Sequence, residues 1–180
     1  MKEGDYLNEI IKNTVEREGG YVNHKDDRGG ATNYGITENV ARKYGYQGNM
    51  RDFPLEKAVE IYKSRYWDSI QLDKFDDERV QELIFDAGVN HGTKWGIRLA
   101  QRAYNTLNKQ VIAEDGIVGP RTINAINSYS HKYYGKEPLL QAMIYVRAEY
   151  YRSIVKYNNS QKSFIVGWYH RLEQLRKKVL

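Results

Sequence analysis

The sequence predicts a mainly α fold with one small β-hairpin lying next to the first helix. Three observations support this. Apolar residues recur at helical spacing in segment after segment from Leu7 to Val179. Strand-type residues are confined to short pieces around Tyr21–Val22 and Tyr34–Thr37, which flank a glycine-rich stretch. The chain has 180 residues, 41% of them hydrophobic, enough for a substantial core, and it has no cysteine to staple a smaller one.

The elements follow in order. Leu7, Ile10, Ile11, Thr14 and Val15 form one buried face of a first helix, which Gly19 can end in a left-handed turn. Thr37 caps a short helix that Gly45 stops. Asp52 and Pro54 open another that runs through Ala58, Val59, Tyr62 and Tyr66. From Asp77 a helix buries Val80, Leu83, Ile84 and Ala87 and stops near Gly92; Trp95, Leu99, Ala103 and Leu107 continue on the next. Pro120 starts a helix after a turn at Asp115-Gly116. Leu140, Met143, Ile144, Arg147, Tyr151, Ile154 and Val155 mark a long helix. Ile165, Trp168, Leu172, Leu175 and Val179 form a last packing seam.

Charge and composition bound the partners. A net charge of +5 and a pI near 9.2 suit an anionic target. The basic residues are scattered except for Arg171 to Lys178, which reads as the solvated face of the last helix, so nucleic acid is not expected as a partner. The first residues are polar and acidic, without the apolar stretch of a signal peptide, and no apolar run is long enough to insert stably in a membrane. His24, His91, His131 and His170 show no paired ligand spacing, so neither a metal nor another cofactor is expected.

Glu18 carries the chemistry. It follows Thr14 by one helical turn and prolongs the apolar stripe, an environment that would disfavour its charged form and let it hold a proton as a general acid. Gly20 leaves room for a ligand near the backbone. On the helical pattern alone, a solvated, idle glutamate at a frayed helix end is the simpler reading. Asp26 and Asp27 follow in the loop, where aspartate is also an ordinary turn residue.

The run from Glu18-Gly19-Gly20-Tyr21-Val22-Asn23 through Asp27-Arg28-Gly29-Gly30-Ala31-Thr32-Asn33-Tyr34-Gly35-Ile36-Thr37 resembles the signature of glycoside hydrolase family 108. These are N-acetylmuramidases of bacteria and phages that cut peptidoglycan. Tyr66-Trp67, Phe85 to Gly92 and Asp115 to Thr122 are similar to the family's later blocks, so the resemblance spans about residues 8 to 175. Arg28 stands where the family commonly has proline, which loosens the turn that places Asp27.

The resemblance implies a lysozyme-like helical fold and Glu18 as the catalytic acid. Glu18, Asp27 and Thr32 form an E-x8-D-x4-T array, similar to the E-x8-D-x5-T array of phage-type lysozymes. In such a site the aspartate and the threonine hydroxyl hold and deprotonate a water on the far face of the sugar. The two carboxyl groups then sit roughly 6.5–9.5 Å apart and the anomeric centre inverts. Asp26 is the alternative to Asp27. Asn33, Tyr34, Tyr66, Trp67 and Asn90 are the expected substrate-binding residues, the aromatic ones as stacking faces for sugar rings; for Asn90 a hydrogen bond to the backbone at its helix end is the other reading. Asp115 to Thr122 resembles the turn of peptidoglycan-binding modules. Residues 1–105 are then a muramidase region and 106–180 a wall-binding-like helical half, or simply the completion of one helical body.

The expected activity is cleavage of the β-1,4 bond between N-acetylmuramic acid and N-acetylglucosamine, with peptidoglycan glycan strands as partner. The protein would be made in the cytoplasm and act in the periplasm or wall, carried there by a holin or a secretion system. A lytic transglycosylase and a non-catalytic wall-binding secretion accessory are the rival classes.

Overall fold

The helical periodicities of the sequence appear as α1 (Glu3–Arg17), α2 (Glu38–Lys43), α3 (Leu55–Tyr62), α4 (Glu78–His91), α5 (Thr93–Leu107), α6 (Pro120–Lys132), α7 (Glu137–Tyr157) and α8 (Ile165–Val179). The hairpin strands are β1 (Thr32–Asn33) and β2 (Ile36–Thr37). The computed structural model describes residues 3–23, 30–132 and 135–180, without the side chains of 3–6 and 130–132. Asp26, Asp27, Arg28 and His24 lie outside the described residues. The fold is mainly α, with a lysozyme-like arrangement of helices and a minimal antiparallel hairpin. Among the described residues no helix is long and apolar enough to cross a membrane.

The chain forms two compact units, Met1–Ser69 and Ile70–Leu180. In the first, α1 packs on α3. Ile10, Ile11, Thr14 and Val15 are buried as their spacing predicts, against a core that also holds Ala58, Ile61 and Tyr62. Thr37 caps α2, its hydroxyl accepting from the Val40 N–H at 3.4 Å. After α3 the chain widens into a π turn, Lys63–Trp67. The expected helix through Tyr66 therefore slips phase: Trp67, five residues beyond Tyr62, takes the inward position.

In the second unit, α4 and α5 meet at a glycine contact. A Cβ at Gly96 would lie 2.8 Å from the Ile84 carbonyl oxygen and 3.0 Å from the Gly88 nitrogen, so only glycine permits this approach. α7 packs on α5 and α8, and α6 on α5. Leu139, Leu140, Met143 and Val146 of α7 and Leu172, Leu175 and Val179 of α8 are buried, the seam read from the sequence.

Candidate functional site

The candidate site is built where the end of α1 meets the hairpin turn. The helical ladder continues one residue past Arg17, with the Glu18 N–H donating to the Thr14 carbonyl at 3.1 Å. Gly19 then takes φ +92°, which ends the helix. Its carbonyl accepts the Tyr34 N–H at 3.0 Å and so ties the helix end to the hairpin.

The hairpin itself reverses at Tyr34-Gly35, between the Asn33–Ile36 and Thr32–Thr37 pairs. Both turn residues have positive φ, 51° and 70°, the geometry of a type I′ turn. The sequence reading placed Tyr34 and Gly35 within a strand; the left-handed freedom of Gly35 makes them the turn instead. Tyr34 is in a backbone region that side chains other than Asn and Asp rarely occupy. The Tyr62 hydroxyl steadies it by donating to the Tyr34 carbonyl at 3.2 Å. Gly35 is pressed against the same group: a Cβ there would lie 2.6 Å from Tyr62 Oη and 3.1 Å from Glu18 Cβ. Glu18, the Tyr34-Gly35 turn and Tyr62 thus form one packed cluster.

Glu18 is exposed. This corrects the expectation of an apolar surrounding for it: Glu18 continues the α1 ladder onto Thr14, but its side chain lies at the surface at the end of the helix. The residue stands at the surface beside the Tyr34-Gly35 turn.

Thr32 precedes the turn. It exchanges both main-chain hydrogen bonds with Val22, each 2.7 Å, and pairs with Thr37. The segment that carries Asp26 and Asp27 is therefore clasped at its two ends. Asn33 is only 5% exposed, and its amide donates to the Met50 carbonyl at 2.8 Å. Its visible work is to anchor the hairpin to the 3₁₀ turn Met50–Asp52 rather than to meet a sugar. Trp67 is 4% exposed, turned into the core by the π turn, while Tyr66 remains half-buried with its ring 5.4 Å from that of Tyr62. Tyr21 adds an aromatic face with the Arg51 guanidinium 4.5 Å above it.

Asn90 belongs to the second unit. It is exposed and donates to the Asp86 carbonyl at 2.6 Å and to the Asp86 carboxylate at 3.2 Å. Asp86 is buried, with Arg147 at 2.5 Å and Arg171 at 2.8 Å. Burial alone would raise its pKa, but the two guanidiniums outweigh that and hold it below the usual carboxylate range. His91 sits beside this group. Burial, and then the charge of Arg147, push its pKa down to about 4, so it is neutral at physiological pH.

Tyr62 and Gly35 were not among the expected site residues, and Tyr34 was expected as a sugar-stacking face, not as part of the turn. Tyr62 was legible as a buried helical residue, and its polar tip was the signal for a second role. The Tyr34-Gly35 pair between strand-type residues was the signal for a tight hairpin.

Residues 11–92 match the family described as Glycosyl hydrolase 108. Residues 95–173 match one described as Predicted Peptidoglycan domain. Among solved structures, SagA of Brucella abortus is similar in fold, with a TM-score of 0.72 and 22% identity over 98% of this chain and 94% of that one. No curated protein sequence matches.

Proposed function

We propose, from the premise that the chain belongs over residues 11–92 to the glycosyl hydrolase 108 family and over residues 95–173 to the predicted peptidoglycan domain family, that it is an N-acetylmuramidase. That it is a glycoside hydrolase acting on peptidoglycan follows from the two families together. The finer reading is cleavage of the β-1,4 bond between N-acetylmuramic acid and N-acetylglucosamine, with Glu18 as the acid that protonates the leaving oxygen. The observation that carries it is the exposed Glu18 at the end of α1, packed against the Tyr34-Gly35 turn within the glycosyl hydrolase segment.

In this reading Asp27, with Thr32, holds and deprotonates the attacking water, and the reaction inverts the anomeric centre. Tyr34 and Tyr66 offer aromatic faces to the sugars. Catalysis belongs to the region before about residue 105 and wall attachment to the helical half from 106 onward. The enzyme works in the periplasm or wall, in cell lysis or in moving a protein through the wall, and reaches it through a holin or a secretion system.

Digestion of purified peptidoglycan tests this. N-acetylmuramic acid at the new reducing ends is the expected product, and 1,6-anhydromuramic ends would make the enzyme a lytic transglycosylase. Glu18→Gln should lower reducing-end release by about 10²–10⁴-fold with the circular-dichroism spectrum unchanged; retained activity would point to a non-catalytic wall-binding protein contaminated by a hydrolase. Asp27→Asn should slow turnover by orders of magnitude, and near-normal turnover would move the water-holding role to Asp26 or to no carboxylate.

A further inference from the structure

A recess of about 180 Å³ opens in the second unit between the end of the turn after α5 and the start of α6. Ile112, Ala113, Ile117 and Pro120 supply its apolar wall, and Asp115 and Arg121 stand on its rim. Among the described residues these two opposite charges form no ion pair with each other or with any third group. Both line the recess, Asp115 with the charge of Lys94 near it and one carboxylate oxygen already bonded within the loop.

The recess is held open by one buried side chain. Gln101 is 1% exposed and uses its whole amide on the surrounding loop. Its nitrogen donates to Asp115 Oδ1 at 3.0 Å, the Ile117 carbonyl at 3.2 Å and Thr122 Oγ1 at 3.1 Å. Its oxygen accepts the Gly116 N–H at 2.8 Å. Gly116, at φ +72°, allows the loop to lie on α5, where a Cβ would come within 2.4 Å of the Lys94 carbonyl oxygen. Asp115 also accepts the Ile117 N–H at 2.9 Å. That bond and the Gln101 amide hold the Asp115 carboxyl below its ordinary pKa, so it stays charged in mild acid.

We infer that this recess binds the stem peptide of peptidoglycan, with a peptide carboxylate at Arg121, a free amine at Asp115 and an aliphatic side chain in the apolar wall. The inference rests on the peptidoglycan reading of the chain. Size and charge decide between peptide and glycan. The recess is smaller than the roughly 300–1,000 Å³ of pockets that enclose a drug-sized ligand, so it suits one or two amino-acid residues and not a disaccharide. The glycan backbone carries no cation, and its muramic carboxyl is tied up in the bond to the peptide. The stem peptide carries both carboxylates and a free amine.

The test is a titration of the nitrogen-15-labelled full chain with the wall tetrapeptide (L-alanine, γ-D-glutamate, diaminopimelate, D-alanine) and, separately, with chitotetraose. The tetrapeptide should move the amide resonances of residues 112–122, and Arg121→Ala and Asp115→Asn should each weaken its binding by about tenfold, the loss of one charge-assisted contact. Asp115→Asn keeps the oxygen that Gln101 and Ile117 bond, so an unchanged spectrum of the free variant shows the loop intact. Peptide shifts elsewhere, shifts here with chitotetraose alone, or no shift with either ligand would overturn the inference. Reducing-end release from peptidoglycan, measured on the same sample, separates the two claims. Release with a silent recess overturns the peptide site alone, and a responsive recess without release overturns the hydrolase reading alone.

Discussion

At the scale of single residues, the site depends on Gly35 as much as on Glu18. Its missing side chain lets the hairpin turn touch Glu18 and the Tyr62 hydroxyl at once. Gly35→Ala would meet Tyr62 Oη at 2.6 Å and would also have to hold φ +70°. The left-handed conformation costs an alanine about 1–2 kcal/mol, and the clash adds to it. Urea denaturation should show the variant at least that much less stable, and reducing-end release should fall because the turn can no longer seat Glu18. Activity equal to the parent would mean the turn relaxes without moving the acid. The sequence showed that Glu18 follows a helix. Its exposure was not legible there, because spacing tells which face of a helix a residue lies on and not whether another element covers that face at the helix end.

At the scale of elements, the helices were legible because each buries one face and its apolar spacing says so: α4, α5, α7 and α8 appear close to where the periodicity put them. The π turn after α3 was not, since nothing local marks the single extra residue that turned Trp67 inward and left Tyr66 half-buried. Nor was the charged knot between helices. Arg147 stands among the residues that mark α7 in the sequence; it is buried with Asp86 of α4 at 2.5 Å, and Arg171 of α8 completes the pairing. Three helices are thus joined by one carboxylate, a partnership across distant sequence that spacing cannot reveal. Arg147→Met should destabilise the chain by about 3–5 kcal/mol, the cost of leaving a buried charge short of a partner. The urea midpoint reads it, and a loss below about 1 kcal/mol would mean that Arg171 alone suffices.

At the scale of the whole molecule, the same knot gives stability a dependence on pH. The folded-state pKa of His91, about 4, lies below its ordinary 6.5, so the unfolded chain binds the extra proton. The stability this contributes is fully present above pH 6.5 and is lost as the pH falls towards 4, up to on the order of 3 kcal/mol. Asp86 adds its own loss only below its ordinary value of 3.8, because its pKa is lowered. The melting temperature should therefore fall between pH 6.5 and 4, and His91→Phe, which keeps a ring against Tyr150 and Tyr151, should flatten the slope. A slope unchanged by that variant would place the titrating group elsewhere.

The paired hydrogen bonds of Val22 and Thr32 have a consequence for how such an enzyme can vary. They fasten both ends of the intervening segment to the same mini-sheet that seats the turn against Glu18. Lengthening a loop whose ends are already fixed costs only about 0.6 kcal/mol for each doubling. Insertions between Val22 and Thr32 should therefore cost the fold little, and on the proposed reading would leave Glu18 in place so long as Asp27 is kept.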